Sequence, residues 1–112
     1  MRKATAVLFA VLFAAACGDD EPERERLSCD LRAQEGQCAT YDLTSGYIDN
    51  VRVNCPEMGG LLSGTCDAAE ALGSCRLSVG SGSITVWFYP PLWTADVAAS
   101  SCLESGGTWT AP

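Results

Sequence analysis

Apolar and polar positions alternate most regularly in the second half of the chain. Residues 74–79 and Ile84-Thr85-Val86-Trp87-Phe88-Tyr89 flank Gly80-Ser81-Gly82. This period of two, rich in β-branched and aromatic side chains around a glycine-permitted turn, predicts a β-hairpin. Pro90-Pro91 stops the second strand. Thr94 then predicts a capped helix over residues 95–105, with Asp96 favourable in its first turn and Gly106-Gly107 ending it. The first half carries weaker signals. Residues 37–43 and 61–66 are strand candidates. Residues before Cys55 should copy the later helix, but Pro56 predicts a short or kinked one, and Val51-Arg52-Val53 has the composition to extend as a strand.

The N-terminus has a different pattern. After Met1-Arg2-Lys3, residues 4–16 are uncharged and mostly apolar. A run of this length suits the apolar region of an export signal and is too short to cross a bilayer. Residues 1–16 are therefore expected to be a signal peptide. Residues 18–27, Gly-Asp-Asp-Glu-Pro-Glu-Arg-Glu-Arg-Leu, are dominated by charge and predict a disordered acidic tether up to residue 27.

Two sequence blocks recur in the same order. Ser28-Cys29-Asp30-x5-Gly36-x-Cys38 matches Thr65-Cys66-Asp67-x5-Gly73-x-Cys75, and Asp49-x5-Cys55-x-Glu57-x-Gly59-Gly60 matches Asp96-x5-Cys102-x-Glu104-x-Gly106-Gly107. The folded body, residues 28–112, is accordingly expected to be a duplication, with repeat 1 over 28–64 and repeat 2 over 65–112. The fold class expected is α+β: a small disulfide-rich domain of two pseudo-symmetric strand-helix-strand units with an antiparallel sheet.

The seven cysteines divide into Cys17 and a group of six: Cys29, Cys38, Cys55, Cys66, Cys75 and Cys102. Six paired thiols in so small a body imply an oxidising compartment. Three cysteines per repeat cannot all pair within their own repeat, so at least one bridge must run between repeats. Of the fifteen possible connectivities, the preferred one joins Cys29 to Cys38, Cys66 to Cys75 and Cys55 to Cys102. A metal site is not expected, because the spacings lack Cys-x2-Cys knuckles and the chain has no histidine.

Charge narrows the partners. The formal charge is −7, and loss of residues 1–16 removes Arg2 and Lys3 to leave five arginines facing 14 carboxylates. Nucleic acid, which demands clustered cations, is not an expected partner. No histidine is present to activate a serine, no phosphate-cradling glycine loop follows a strand, and the six cysteines have partners. No catalytic residues and no cofactor are expected. Asp30 with Asp67 are assigned to turns after each first cysteine, and Asp49 with Asp96 to helix starts.

Ala14-Ala15-Ala16-Cys17 resembles the lipobox of bacterial lipoproteins, departing from it at Ala14, where leucine is usual. The Cys17-Gly18-Asp19 start, the spaced cysteines and the Cys102-x3-Gly106-Gly107-x-Trp109 ending resemble small cysteine-rich lipoproteins of Gram-negative bacteria whose function is unknown. The resemblance implies a lipid on Cys17, attachment to the cell envelope through that lipid, and an outer-membrane destination more than an inner one, because Gly18 stands where Asp would favour inner-membrane retention. It carries over no activity.

The function expected is a lipid-anchored envelope or cell-surface module that binds or braces a partner, protein or glycan, without catalysis. Trp87, Tyr89 and Trp93 are its candidate contact residues, with ordinary core under covering helices the plainer reading of the same aromatics. The alternative is a small disulfide-braced peptidase inhibitor presenting residues 90–94, which titration against a panel of peptidases separates through stoichiometric inhibition.

Overall fold

The computed structural model describes residues 23–112. The signal peptide, Cys17 and residues 18–22 of the expected tether lie outside the described residues. Nine elements follow in order: β1 (Arg24–Leu31), α1 (Arg32–Glu35), β2 (Gln37–Thr44), α2 (Ser45–Glu57), β3 (Leu61–Ser63), β4 (Gly73–Val79), β5 (Gly82–Phe88), α3 (Ala95–Glu104) and β6 (Thr108–Thr110). The strands form one six-stranded antiparallel sheet in the order β3-β1-β2-β5-β4-β6. This is an α+β, disulfide-rich small domain.

Strand pairing fixes which side chains share a face, since directly paired residues point the same way and neighbours along a strand alternate. One row crosses the whole sheet: Leu62, Cys29, Ala39, Val86, Cys75 and Trp109. Cys29 bonds Cys55 of α2, and Cys75 bonds Cys102 of α3. Both long helices therefore lie on this one face. The opposite face carries Cys38, which bonds Cys66 of the loop over residues 64–72. Most buried apolar residues fall into three clusters, with Leu43 and Ile48 buried outside them. Cys29, Leu31 and Cys55 lie under α2, Cys75, Phe88, Ala98 and Cys102 lie under α3, and Cys38, Ala71 and Tyr89 lie under the loop. Each cluster has a disulfide at its centre.

The pairings Cys29–Cys55, Cys38–Cys66 and Cys75–Cys102 replace the expected Cys29–Cys38, Cys66–Cys75 and Cys55–Cys102. The geometry gives the reason. Cys29 and Cys38 lie on paired strands but point to opposite faces, because Cys29 pairs with Ala39 and Cys38 with Asp30. Cys55 and Cys102 sit in helices seated over different ends of the sheet. One bridge, Cys38–Cys66, does run between the two halves.

The connectivity also realigns the halves. β1-β2-α2-β3 and β4-β5-α3-β6 have the same order of elements, with Cys29 and Cys75 at matching strand positions and bridges spanning 26 and 27 residues. The unit thus has a third strand, its first two forming a hairpin before the helix. With Cys29 matched to Cys75 instead of Cys66, the halves agree in length between strand and helix cysteines to within one residue.

Each helix ends on the same device. Gly60 N–H donates to Cys55 O and Gly107 N–H to Cys102 O, both at 2.9 Å, the six-residue return bond of a Schellman ending. A methyl group on Gly60 would stand 2.7 Å from both sulfurs of Cys29–Cys55, and one on Gly107 would stand 2.4 Å from Cys75 Sγ. The second glycine of each pair is therefore required by the disulfide beside it.

Two local expectations change, and the Thr94 cap stands as expected. The ordered strand begins at Arg24 inside the segment expected as tether, since Arg24, Glu25, Arg26 and Leu27 pair with Thr44, Leu43, Asp42 and Tyr41. The chain entering β1 also satisfies the start of α2, because Ser45 N–H and Oγ both donate to Glu23 O at 3.0 and 3.2 Å. α2 is neither short nor extended: it is a 13-residue helix that includes Val51-Arg52-Val53, and Pro56 falls in its last turn, where the hydrogen bond it forfeits is near the helix end. α3 begins after Thr94, whose hydroxyl accepts from Val97 N–H at 3.4 Å.

Gly107→Ala should destabilise the domain by about 1–3 kcal/mol through overpacking against Cys75–Cys102, whereas Gly80→Ala, with no atom within 4 Å of the added methyl, should change little. Urea denaturation of both variants measures the difference.

Candidate functional site

The helix-bearing face holds an open trough. α2 is tied over β1 and α3 over β4, with β2 and β5 between them. Three strand spacings separate β1 from β4, roughly 14 Å, against about 8–10 Å for two helices in contact. The helices cannot close over the central strands, and Ala39, Tyr41, Ile84 and Val86 are left half-buried. Next to α2 the trough widens to a cavity of about 600 Å³ lined by Tyr41, Asn50, Val51, Asn54, Glu57 and Met58, with the Cys29–Cys55 bridge at its base. Burial pushes the Tyr41 phenol above its ordinary pKa, with the Glu35 charge adding to the effect.

The opposite face is polar except at one end. Its rows include Arg26, Asp42, Ser83 and Ser78, then Ser28, Thr40, Thr85 and Arg76, then Asp30, Cys38, Trp87 and Ser74. The loop over residues 64–72 crosses it and is held by Cys38–Cys66, by Leu72 N–H donating to Phe88 O at 2.7 Å, by Ser28 Oγ donating to Gly64 O at 3.3 Å, and by Tyr89 OH donating to Asp67 O. Beside this loop lies a cleft of about 260 Å³ lined by Arg26, Thr40, Thr65, Cys66, Thr85 and Trp87.

The three expected contact aromatics do not form one surface. Tyr89 is buried and is corrected from contact residue to core, its ring packed with Cys38 and Ala71; burial raises its phenol pKa. Trp93 packs on the helix-bearing side, edge-on to Phe88 at 4.8 Å, and its Nε1–H donates to Glu35 O at 2.8 Å. Trp87 alone stays half-buried beside the polar cleft. In the loop proposed as inhibitory, Leu92 is exposed, while Trp93 anchors it from within.

The duplicated aspartates act where the sequence put them in one pair and not wholly in the other. Asp30 Oδ1 accepts from Arg32 N–H at 3.0 Å, and Asp67 Oδ1 accepts from Ala69 N–H at 2.9 Å. Both are Asx turns, two residues on. Asp96 lies in the first turn of α3, but Asp49 lies within α2 and pairs with Arg52 at 2.6 Å, because α2 starts earlier than its counterpart.

Arg32 gathers the first pair. Its guanidinium meets Asp30 at 2.8 Å and Asp67 at 3.9 Å and lies 5.1 Å above the Tyr89 ring. The hydrogen bonds from Arg32 hold the Asp30 carboxyl below its ordinary pKa. This cluster clips α1 to the covering loop, a role that Arg32, two residues after the first Cys-Asp motif, did not disclose in the sequence. Among the described residues, no group of three or more His, Cys, Asp or Glu side chains is placed to hold a metal ion, and no helix is long and apolar enough to cross a membrane.

A lowered folded-state pKa at Asp30 adds stability that is present above the unfolded carboxyl pKa and lost as pH falls through the folded value. Arg32→Ala should therefore be less stable than wild type at neutral pH, with the gap narrowing as pH falls below the ordinary aspartate range of about 3.9. Denaturation across a pH series checks this; a gap that stays constant into acid contradicts it.

No protein-family model matches the chain, and no curated protein or solved structure is significantly similar to it, so no relative's activity bears on these surfaces.

Proposed function

We propose that this chain is a lipid-anchored, noncatalytic module of the bacterial envelope that holds a partner close to the membrane. The observation that carries the reading is the exhaustion of thiols. All six cysteines of the described residues bond one another in three pairs, which leaves none of them for Cys17. Three bridges placed at the centres of three small clusters also support an oxidising compartment, since a body this size depends on covalent help that cytosolic reductants would remove. Lipidation then gives Cys17 a use, and the Ala14-Ala15-Ala16-Cys17 sequence gives it a route.

The absence of catalysis is part of the proposal and is supported by charge compensation. Asp30 and Asp67 converge on Arg32, while Glu25 and Asp49 converge on Arg52 at 2.6 Å each. General acid-base work needs carboxylates that converge on a substrate, and these four are occupied by arginine. Two open surfaces on a rigid sheet suit binding.

Expressed in a Gram-negative host, the wild-type chain should enter the detergent phase on cloud-point extraction with a mass that includes acyl chains. Cys17→Ser should enter the aqueous phase with its three disulfides intact. Wild-type protein that is unacylated and aqueous would refute the anchor.

A further inference from the structure

The polar face of the sheet concentrates positive charge on an acidic molecule. Of the five arginines in the described residues, Arg32 and Arg52 are each held between two carboxylates. The other three, Arg24, Arg26 and Arg76, all point to the polar face by strand register. The carboxylates on that face are Asp30 and Asp67, both held by Arg32, Asp42, which meets Arg26 at 3.8 Å, and Glu70 of the loop that crosses it. Arg76 is exposed and makes no ion pair among the described residues. Surplus cations on one face of a chain with formal charge −7 favour an anionic ligand there.

The surroundings of these arginines narrow the ligand further. Between Arg26 on β1 and Arg76 on β4 lie the hydroxyls of Thr40, Ser83 and Thr85, with Trp87 one row beyond. Thr40, Thr85, Thr65, Arg26 and Trp87 share the cleft of about 260 Å³. Thr40 Oγ1 is bonded to Ser28 Oγ at 2.9 Å and donates to Cys66 Sγ at 3.3 Å, which leaves it only to accept. The hydroxyls of Ser83 and Thr85 both donate and accept, which matches a ligand bearing hydroxyls of its own. A half-buried indole, packed against Cys38, Ala71 and Tyr89 on the same face, offers an apolar surface to the C–H face of a sugar ring. A peptide would gain its backbone hydrogen bonds at a sheet edge, but β2 and β5 are central strands paired on both sides.

We propose that this strip, built from Arg26, Thr40, Thr85, Trp87 and Arg76, binds a carboxylate-bearing glycan, with the indole under a ring and the guanidinium groups on its carboxylates. This deepens the binding-module reading by naming the ligand class and does not depend on the anchor.

The test uses the full chain and three probes: a hexamer of α-1,4-linked galacturonate, a neutral hexamer of α-1,4-linked glucose, and a hexaglutamate peptide. By calorimetry the galacturonate hexamer should bind, more weakly as salt rises, and at least about tenfold more tightly than the other two. Arg76→Ala should weaken it about tenfold, the scale of one charge-assisted hydrogen bond, and Trp87→Phe should weaken it while leaving the fold intact. No binding of the galacturonate hexamer, equal binding of the glucose hexamer or hexaglutamate, or an unchanged affinity in Arg76→Ala overturns the proposal. Because Arg76 is exposed, its replacement keeps the test open even if changes at Trp87 disturb folding. Cys17→Ser should bind like wild type, so the site and the anchor stand or fall separately.

Discussion

Two disulfides tie a helix to a strand in the same way, and the remaining architecture follows from where those strands lie. Cys29–Cys55 and Cys75–Cys102 seat α2 over β1 and α3 over β4 on one face of the sheet. The two central strands stand between these positions, so the helices are held too far apart to touch and the trough remains open. Each bridge is also the centre of its own small cluster. A domain without enough apolar residues for one large core has several minor ones instead, each closed by a covalent bond worth roughly 2–5 kcal/mol in a small secreted domain.

The third bridge does a different job on the other face. Cys38–Cys66 holds the loop over residues 64–72 across the sheet, where Tyr89, Ala71 and Arg32 complete the attachment. That loop covers one end of the face and leaves the rest to arginines and hydroxyls. The two faces therefore differ in chemistry: half-buried apolar side chains between helices on one, a cationic and hydroxylated strip beside Trp87 on the other.

Much of the second half was legible in the sequence because its signals are local. The hairpin around Gly80-Ser81, the Thr94 cap and the Gly106-Gly107 ending each depend on neighbours in the chain. Disulfide connectivity was not legible, and the reason is chemical. The Cys-Asp motif at Cys29 and at Cys66 marks an Asx turn in both places, so two segments with the same local hydrogen bond looked equivalent though one is a strand end and the other a covering loop. The matching that the fold uses, Ser28-Cys29-x-Leu31 with Ser74-Cys75-x-Leu77, is shorter and was hidden by the longer coincidence. β1 was missed altogether, its first residues because their charges suggested solvent; in the strand they alternate between faces, with Glu25 meeting Arg52. Of the aromatics weighed between contact surface and core, Tyr89 is core, whereas Trp87 and Trp93 are both half-buried, on opposite faces of the sheet.

The pairing of cysteines carries this account, and it can be read with the bridges left intact. Cleavage of the unreduced protein after every arginine and glutamate places each of the six cysteines on a separate peptide, 27–32, 36–52, 53–57, 58–70, 71–76 and 77–104. Mass spectrometry should find 27–32 joined to 53–57, 36–52 to 58–70, and 71–76 to 77–104. Peptide 27–32 joined to 36–52, or 53–57 joined to 77–104, would contradict it.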